Sequence, residues 1–269
     1  MTLEILVAMK VVPKPEEVKV NLETMTLERA KARSEINPSD MAALEHALAL
    51  KERHGARVTV LSMGPPFAGR FLNVALAMGC DEAVLLSDRA FAGADTLATS
   101  YALAKAIETM GIPDLVLCGE ESSDGATGQV PPGIAEWLDI EQVTCVSSVD
   151  LDPAARRLIG HRELRTARET VRVPLPAVVS VLTGSAEPRF MDFERKALVE
   201  ANDGVRILSA ADIKADPQRI GGPGSPTIVT GVKPLGTRQR RRVRIEGSPE
   251  EKAAKVWQLV KGVLSGGPC

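Results

Sequence analysis

The chain has 269 residues, of which 44% are hydrophobic and 25% are charged. This composition supports a sizeable core in one large α/β domain, or in a domain with an appendage. The net charge of −2 and the aromatic content of 3% exclude a general binder of nucleic acids or anionic membranes and an aromatic ladder for single-stranded bases.

Apolar runs and capping residues predict a regular alternation of strands and helices. A first strand over residues 3–12 and a short hairpin over 18–27 precede a helix that Asn37 or Ser39 caps and Gly55 ends. Further strands are predicted at 57–64, 82–88, 114–119, 143–150 and 177–182, and further helices at 68–79, 94–111 and 133–138. Strand–helix units that recur at roughly 30 residues are typical of a parallel sheet.

The predicted fold class is therefore α/β: a doubly wound, mostly parallel, Rossmann-like sheet with helices on both faces. After about Asp150 the pattern changes to a strand hairpin, and beyond Gly184 it thins to loop with little helix. An extended C-terminal arm ends in a helix over 248–264, with Ser248 as its N-cap and Glu251 at N3. We divide the chain into a domain over 1–190 and a region of loop and arm over 191–269.

The N-terminal segment has no basic stretch and no cleavage site, and no apolar run reaches the ~18 residues of a membrane span. Four cysteines without zinc spacing indicate free thiols in a reducing compartment. We expect no membrane insertion and no metal site. No histidine or other side chain stands out as catalytic.

In a sheet of this kind, loops after the carboxyl ends of the strands build the ligand site. The stretch GEESSDGATGQVPPG (119–133) follows a buried strand and precedes a helix. Its glycines Gly125 and Gly128 allow close backbone approach, and free amides in a first helical turn over 128–130 would bind a phosphate. The loop contains no Lys or Arg, so main-chain nitrogens would do the binding. An ordinary strand–helix connection remains the alternative, since the stretch matches neither standard phosphate-binding glycine motif.

Other segments also carry two interpretations. Residues 37–40 (NPSD) are either a capped turn or part of the site, and Asp95 with Thr96 are either a helix cap or a ligand contact. The basic run over 238–244 suggests either an RNA contact or a solvated or partner-facing strand. Because acidic residues balance it and aromatic partners are absent, we favour the latter and expect no nucleic acid.

Several segments, in order, resemble the β-subunit family of electron-transfer flavoproteins. They cover roughly residues 3–190, and the arm residues 230–233 (TGVK) also resemble the family. The matching pieces are ILVAMKVV, INPSDMAALEHALALKE, VTVLSMGPP, ALAMGCDEAVLLSDRAFAGADTLATSYALAKAI, DLVLCGEESSDGATGQVPPGIAEWL and PLPAVVSVLTGSAEPRF.

The resemblance implies an electron carrier subunit rather than an enzyme, with an arm that embraces an α-subunit. It also implies a redox FAD held mainly by that subunit, and AMP or a second FAD in the β-subunit. The loop near Phe193 would dock dehydrogenases, and the protein would be cytoplasmic, in a bacterium or archaeon. The nucleotide-binding residues it implies are Ala8, Asn37, Pro38, Ser39, Asp40, Met63, Gly119, Glu120, Glu121, Ser122, Ser123, Asp124, Gly125, Ala126, Thr127, Gly128, Gln129 and Val130, to which we add Asp95 and Thr96.

Where the family usually has a basic residue and Gln, this chain has Glu120 and Glu121, a departure that bears on ligand identity. The segment SDRAFAGADTLATS (87–100) resembles the electron-bifurcating branch, which keeps FAD in the β-subunit. We therefore lean to FAD, with AMP as the alternative. Two other functions of similar fold stay open: a nucleotide-binding stress sensor and an ATP-pyrophosphatase-like enzyme.

Overall fold

The computed structural model describes residues 2–17, 19–21, 26–28, 32–202, 204–228, 230 and 244–264. The chain forms two compact units, Met1–Val232 and Lys233–Cys269. The functional division predicted after residue 190 stays a prediction. Most of the basic run over 238–244 lies outside the described residues, as does TGVK after Thr230.

The first unit contains thirteen strands and five α-helices within its described residues. The strands are β1 (Glu4–Ala8), β2 (Val11–Pro13), β3 (Lys19–Asn21), β4 (Thr26–Glu28), β5 (Ser34–Ile36), β6 (Arg57–Met63), β7 (Glu82–Leu86), β8 (Leu115–Gly119), β9 (Glu141–Asp152), β10 (Arg157–Glu163), β11 (Arg168–Pro174), β12 (Ala177–Val181) and β13 (Val205–Leu208). The helices are α1 (Pro38–His54), α2 (Gly69–Met78), α3 (Thr96–Met110), α4 (Val130–Leu138) and α5 (Phe193–Asn202).

Nine strands form one sheet in the order β11-β10-β9-β12-β8-β1-β6-β7-β13. In this order all neighbours from β9 to β13 are parallel, whereas β10 is antiparallel to both of its neighbours, β9 and β11. The chain adds β6 and β7 on one side of β1 and then crosses to β8 on the other side. The switch point therefore lies between β1 and β8, where ligands bind in open α/β sheets. The predicted fold class is confirmed.

The core lies on both faces of this sheet. Alternate strand residues such as Val7 and Leu117 pack with α1 and α2, while Leu6 and Val116 pack with α3 and α4. Burial on both faces explains why the central strands are continuous apolar runs rather than alternating patterns. The sheet edge that carries the switch point is thus held by four helices.

Some predicted boundaries are wrong. The strand predicted over 3–12 ends at Ala8. The Met9 N–H still donates to Leu61 O of β6, but the Lys10 N–H donates to Asp40 Oδ2 instead of to a strand, and β2 then pairs with β5 outside the main sheet. The predicted hairpin over 18–27 is confirmed as the separate pair β3–β4. Where loop with a helical turn or more was expected, α5 spans ten residues, and β13 was not predicted.

The second unit contains one helix among its described residues, α6 (Pro249–Leu264). The Ser248 N–H donates to Glu251 Oε2 at 3.0 Å, and the Glu251 N–H donates to Ser248 Oγ at 3.3 Å. This reciprocal pair is a capping box, so the predicted start of the helix is confirmed.

Candidate functional site

A cleft of about 640 Å³ opens at the carboxyl ends of β1, β6 and β8. Most of the predicted site residues line it: Ala8, Asn37, Asp40, Met63, Asp95, Thr96, Gly119, Glu121, Ser122, Asp124, Gly125, Thr127, Gly128 and Val130. The others lie beside or behind its wall: Pro38, Ser39, Glu120, Ser123, Ala126 and Gln129. The loops selected from the sequence therefore do converge on one cavity.

The floor of the cleft is organised by Asp40, a buried carboxyl group at the start of α1. Its Oδ2 accepts the Lys10 N–H at 2.7 Å and its Oδ1 accepts the Gly119 N–H at 3.0 Å, so one side chain joins the ends of β1 and β8. Burial raises the pKa of Asp40 to about 7, against the lowering effect of these hydrogen bonds. Gly119 has no room for a side chain, since a Cβ there would lie 2.3 Å from Ser39 Oγ and 2.4 Å from Asp40 Oδ1.

The segment over 119–130 is held from behind by the start of α1. The Asn37 Nδ2 and the Ser39 hydroxyl both donate to Glu121 O, at 2.8 and 2.6 Å, and the Ser123 N–H donates to Asn37 Oδ1 at 3.0 Å. Asn37 is the N-cap residue of α1, as predicted, but its side chain makes no capping bond, and Ser39 lies inside the helix. Both side chains instead fix the loop.

Glu120 points away from the cleft. Its Oε1 accepts the Thr183 N–H at 2.8 Å, and its own N–H donates to Val181 O at 2.9 Å. Glu120 is therefore tied to the end of β12, and Glu121 is the glutamate that lines the cleft.

Helix α4 offers fewer amides to the cleft than expected. It begins at Val130, so residues 128 and 129 precede it, and the prediction of a first turn over 128–130 is wrong. Pro131 and Pro132 follow at once, and neither has an N–H, so Val130 carries the one N–H among the first three helical residues. Gly128, with φ of +63°, is in the left-handed region that favours glycine.

Lys10 supplies a cation that the sequence analysis missed. Its Nζ lies 2.6 Å from Asp124 Oδ1 and 3.2 Å from Ser122 Oγ, so the side chain spans from the end of β1 to the segment over 119–130. The contact joins residues that are more than a hundred positions apart in the sequence. The one feature of the sequence that could have indicated it is the position of Lys10 just after the first strand. The loop itself has no basic residue, but its cleft has one.

The far end of the cleft is formed by the start of α3. Asp95 caps this helix by accepting the N–H groups of Leu97 and Ala98, as predicted, and the Thr96 hydroxyl donates to Gln129 Oε1 at 2.7 Å. Asp95 Oδ2 also accepts from Thr227, at 2.7 Å from its hydroxyl. Asp95 therefore both caps α3 and lines the cleft. In the same region Phe67, Phe91 and Gly93 extend the cleft further.

A second exposed feature surrounds Phe193, at the start of α5. Phe190 is 96% exposed and Phe193 is 73% exposed, which is unusual for aromatic side chains. The segment is anchored by Arg189, whose guanidinium binds Glu45 and Glu52 of α1 at 2.8 and 2.5 Å.

The described residues include neither a membrane-spanning helix nor a cluster of metal ligands. No helix among them is long and apolar enough to cross a membrane. Within the same part of the chain, no group of three or more His, Cys, Asp or Glu side chains is placed to hold a metal ion.

Comparison with known proteins gives one consistent result. Residues 24–205 match the family model described as electron transfer flavoprotein domain. The electron transfer flavoprotein subunit beta of Thermoanaerobacterium thermosaccharolyticum is 43% identical, over 87% of this chain and 89% of its own. Protein FixA of Rhizobium meliloti is 41% identical over 91% and 85%. The caffeyl-CoA reductase-Etf complex subunit CarD of Acetobacterium woodii is 40% identical over 84% and 86%.

Proposed function

Because this chain belongs to the β-subunit family of electron-transfer flavoproteins, we propose that it pairs with an α-subunit to carry electrons between dehydrogenases and an acceptor oxidoreductase. In this role a bound flavin supplies the redox chemistry, and the protein supplies position and electrostatics. The family favours this function over an ATP-pyrophosphatase-like enzyme or a nucleotide-sensing stress protein. The name of the relative CarD, a subunit of a reductase complex, supports assembly with other chains.

The cleft is proposed to hold an adenine nucleotide. The observation that carries this proposal is its place at the switch point between β1 and β8, bordered by the segment over 119–130. Gly125 and Gly128 add no side chains to that border, so a phosphate can approach the backbone.

We favour FAD over AMP as the ligand. The cleft does not end at the segment over 119–130 but continues along Thr96 and Gly93 to the aromatic rings of Phe67 and Phe91. Pockets of this size and apolar lining suit a ligand with a large planar group as well as a phosphate. A mononucleotide would occupy the end near Asn37 and leave the end near Phe91 unused.

The composition of the purified complex tests the ligand. The chain is co-expressed with its α-subunit, the complex is denatured in acid, and FAD and AMP are counted per heterodimer. Two FAD molecules are expected. One FAD with one AMP would contradict the assignment of FAD, and one FAD without AMP would contradict an adenine nucleotide in this cleft. NADH oxidation by the same preparation tests whether the complex is electron-bifurcating.

Substitution of Gly119 tests the location. Gly119→Ala is expected to lower the nucleotide content, because its Cβ would collide with Ser39 and Asp40 beneath the cleft. Gly222→Ala is the matched control, since no atom lies within 4 Å of its Cβ and its φ is not positive. Full nucleotide content in the Gly119 variant would place the nucleotide elsewhere.

Docking of dehydrogenases near Phe193 is also a proposal. Its support is the exposure of Phe190 and Phe193 on a segment that Arg189 anchors to α1. Exposed aromatic groups of this kind mark protein interaction sites.

A further inference from the structure

We propose that Lys10 is the phosphate-binding cation of the cleft and that the phosphate of the ligand displaces the Asp124 carboxylate from it. This inference rests on the proposed adenine-nucleotide site and adds a side chain to it. The phosphate would then be held by a charged side chain in addition to backbone amides.

The charges around the cleft require such a cation. Asp95, Glu121 and Asp124 line it, while Lys10 is the one Lys or Arg among the described residues that do so. A phosphate brought close to these carboxylates without a positive charge would be repelled. The N-terminus of α4 offsets this repulsion poorly, because Pro131 and Pro132 remove two of the amides that a helix N-terminus normally presents.

Lys10 is placed for this role by its own backbone. Its N–H is fixed on the buried carboxylate of Asp40, which sets where the side chain leaves the end of β1. From there Nζ reaches Ser122 Oγ and Asp124 Oδ1 on the far wall. The side chain of Lys10 is 46% exposed and that of Asp124 is 10% exposed, so the ammonium group stays accessible to a ligand while the carboxylate is largely covered.

Asp124 occupies the position on Nζ that a phosphate oxygen would take. Both groups are anionic acceptors for the same ammonium group, and a phosphate can carry more charge than a carboxylate. Ser122 Oγ lies at the same point and has a hydroxyl proton that it can donate to the phosphate. Asp124 is therefore a competitor of the ligand, and removal of its charge should strengthen binding.

The test compares AMP with adenosine, which differ only in the phosphate. Both are titrated into the co-expressed heterodimer after its bound nucleotide has been removed. Lys10→Met is expected to weaken AMP binding by about 10- to 100-fold, the value of a charge-assisted hydrogen bond, and to change adenosine binding by less than about twofold. Asp124→Asn is expected to tighten AMP binding by about 3- to 10-fold, because a repulsive charge is lost.

Lys14→Met is the matched control. Lys14 lies four residues further along the chain, 3.8 Å from Glu35 at the surface, and does not line the cleft, so its loss should leave both affinities unchanged. An equal loss of AMP and adenosine binding in Lys10→Met would show a purely structural role, and unchanged AMP binding would show none. Weaker AMP binding in Asp124→Asn would overturn the competition. A wild-type complex that binds neither AMP nor FAD would overturn the proposed function itself.

Discussion

Asp40 combines two properties that rarely occur together, near-complete burial and a position in the wall of a ligand cleft. Its carboxylate accepts the N–H groups of Lys10 and Gly119, so it holds together the two strand ends that flank the switch point. The neighbouring Cys118 thiol is also buried, and burial together with the charge of Asp40 raises the pKa of that thiol. The charge state of Asp40 should therefore affect the stability of the whole sheet edge.

The stability of the fold is expected to depend on pH through Asp40. Burial raises its pKa from 3.8 to about 7, so between these values the folded protein binds a proton that the unfolded chain does not. The stabilisation from the neutral form is complete below about pH 4 and is lost as the pH rises through about 7. The advantage of the wild type over Asp40→Asn, measured by urea unfolding, should fall by about 2 kcal/mol from pH 5 to pH 8.

Asp95→Asn provides the control for this measurement. Burial raises the pKa of Asp95, but the Ala98 N–H and Thr227 donate hydrogen bonds to it that lower the pKa below 3.8 overall. The ionised form of Asp95 therefore stabilises the folded protein at pH values above 3.8. This stabilisation is lost only as the pH falls through the lowered pKa. The difference between the wild type and this variant should stay constant from pH 5 to pH 8. A constant difference for Asp40→Asn as well would show that Asp40 is ionised throughout.

At the residue scale, sequence predicts what is local and misses what is brought together by the fold. Asp95 was identified as a cap because the N–H groups that donate to its carboxylate, those of Leu97 and Ala98, lie only two and three residues away. Asn37 was also interpreted as a cap, but its side-chain amide instead binds residues 121 and 123. No local sequence pattern distinguishes these two roles of an asparagine. Lys10 was missed because its contact with Asp124 exists only after β1 and β8 pair.

At the element scale, the β-α units carry local signals that β13 lacks, so they were predicted and β13 was not. The central strands are continuous apolar runs between clear caps such as Gly55 and Gly79, and both signals lie within the element. Strand β13 has four residues and an exposed Ile207, and it exists by pairing with β7 far earlier in the chain. Helix α5 buries no residue completely, so its apolar signal was equally weak.

Helix α5 and the segment before it should depend on Arg189. Its guanidinium donates to both oxygens of Glu45 and to Glu52, and these hydrogen bonds raise its pKa further above the ordinary range. Arg189→Lys keeps the charge but loses the planar, two-pronged contact. We expect a loss of about 1–2 kcal/mol in the free energy of unfolding and faster hydrogen exchange over residues 188–202, measured by mass spectrometry.

Arg57→Lys is the control for Arg189, because Arg57 forms an exposed ion pair with Glu82 at 3.0 Å. Such pairs contribute about 0–1 kcal/mol, so little change is expected there. If the two variants exchange hydrogen equally over residues 188–202, Arg189 does not anchor the segment. Slower electron transfer from a dehydrogenase in Arg189→Lys, with nucleotide content unchanged, would link this anchor to docking.

At the scale of the whole molecule, the two units differ in how they are stabilised. The unit Met1–Val232 has helices on both faces of its sheet and a core on each face, so it has what an independent fold requires. The described part of Lys233–Cys269 contains one helix of 16 residues, α6, which exposes Val256, Trp257, Leu259 and Val260. Isolated helices of this length are marginally stable in water, and an exposed apolar surface of this kind is typical of an interface.

The arm is therefore expected to stabilise the heterodimer rather than the fold of this chain. Trp257, 61% exposed, is the largest apolar group of α6, and Trp257→Ser should weaken association with the α-subunit by about 30-fold or more, the effect of losing an interface hot spot. Gln258→Ser, one residue further along the same helix, should have little effect. Sedimentation of the co-expressed subunits measures the association, and urea unfolding of the isolated chain should be unchanged in both variants. An unfolding midpoint lowered by Trp257→Ser would instead mean that the helix stabilises its own chain.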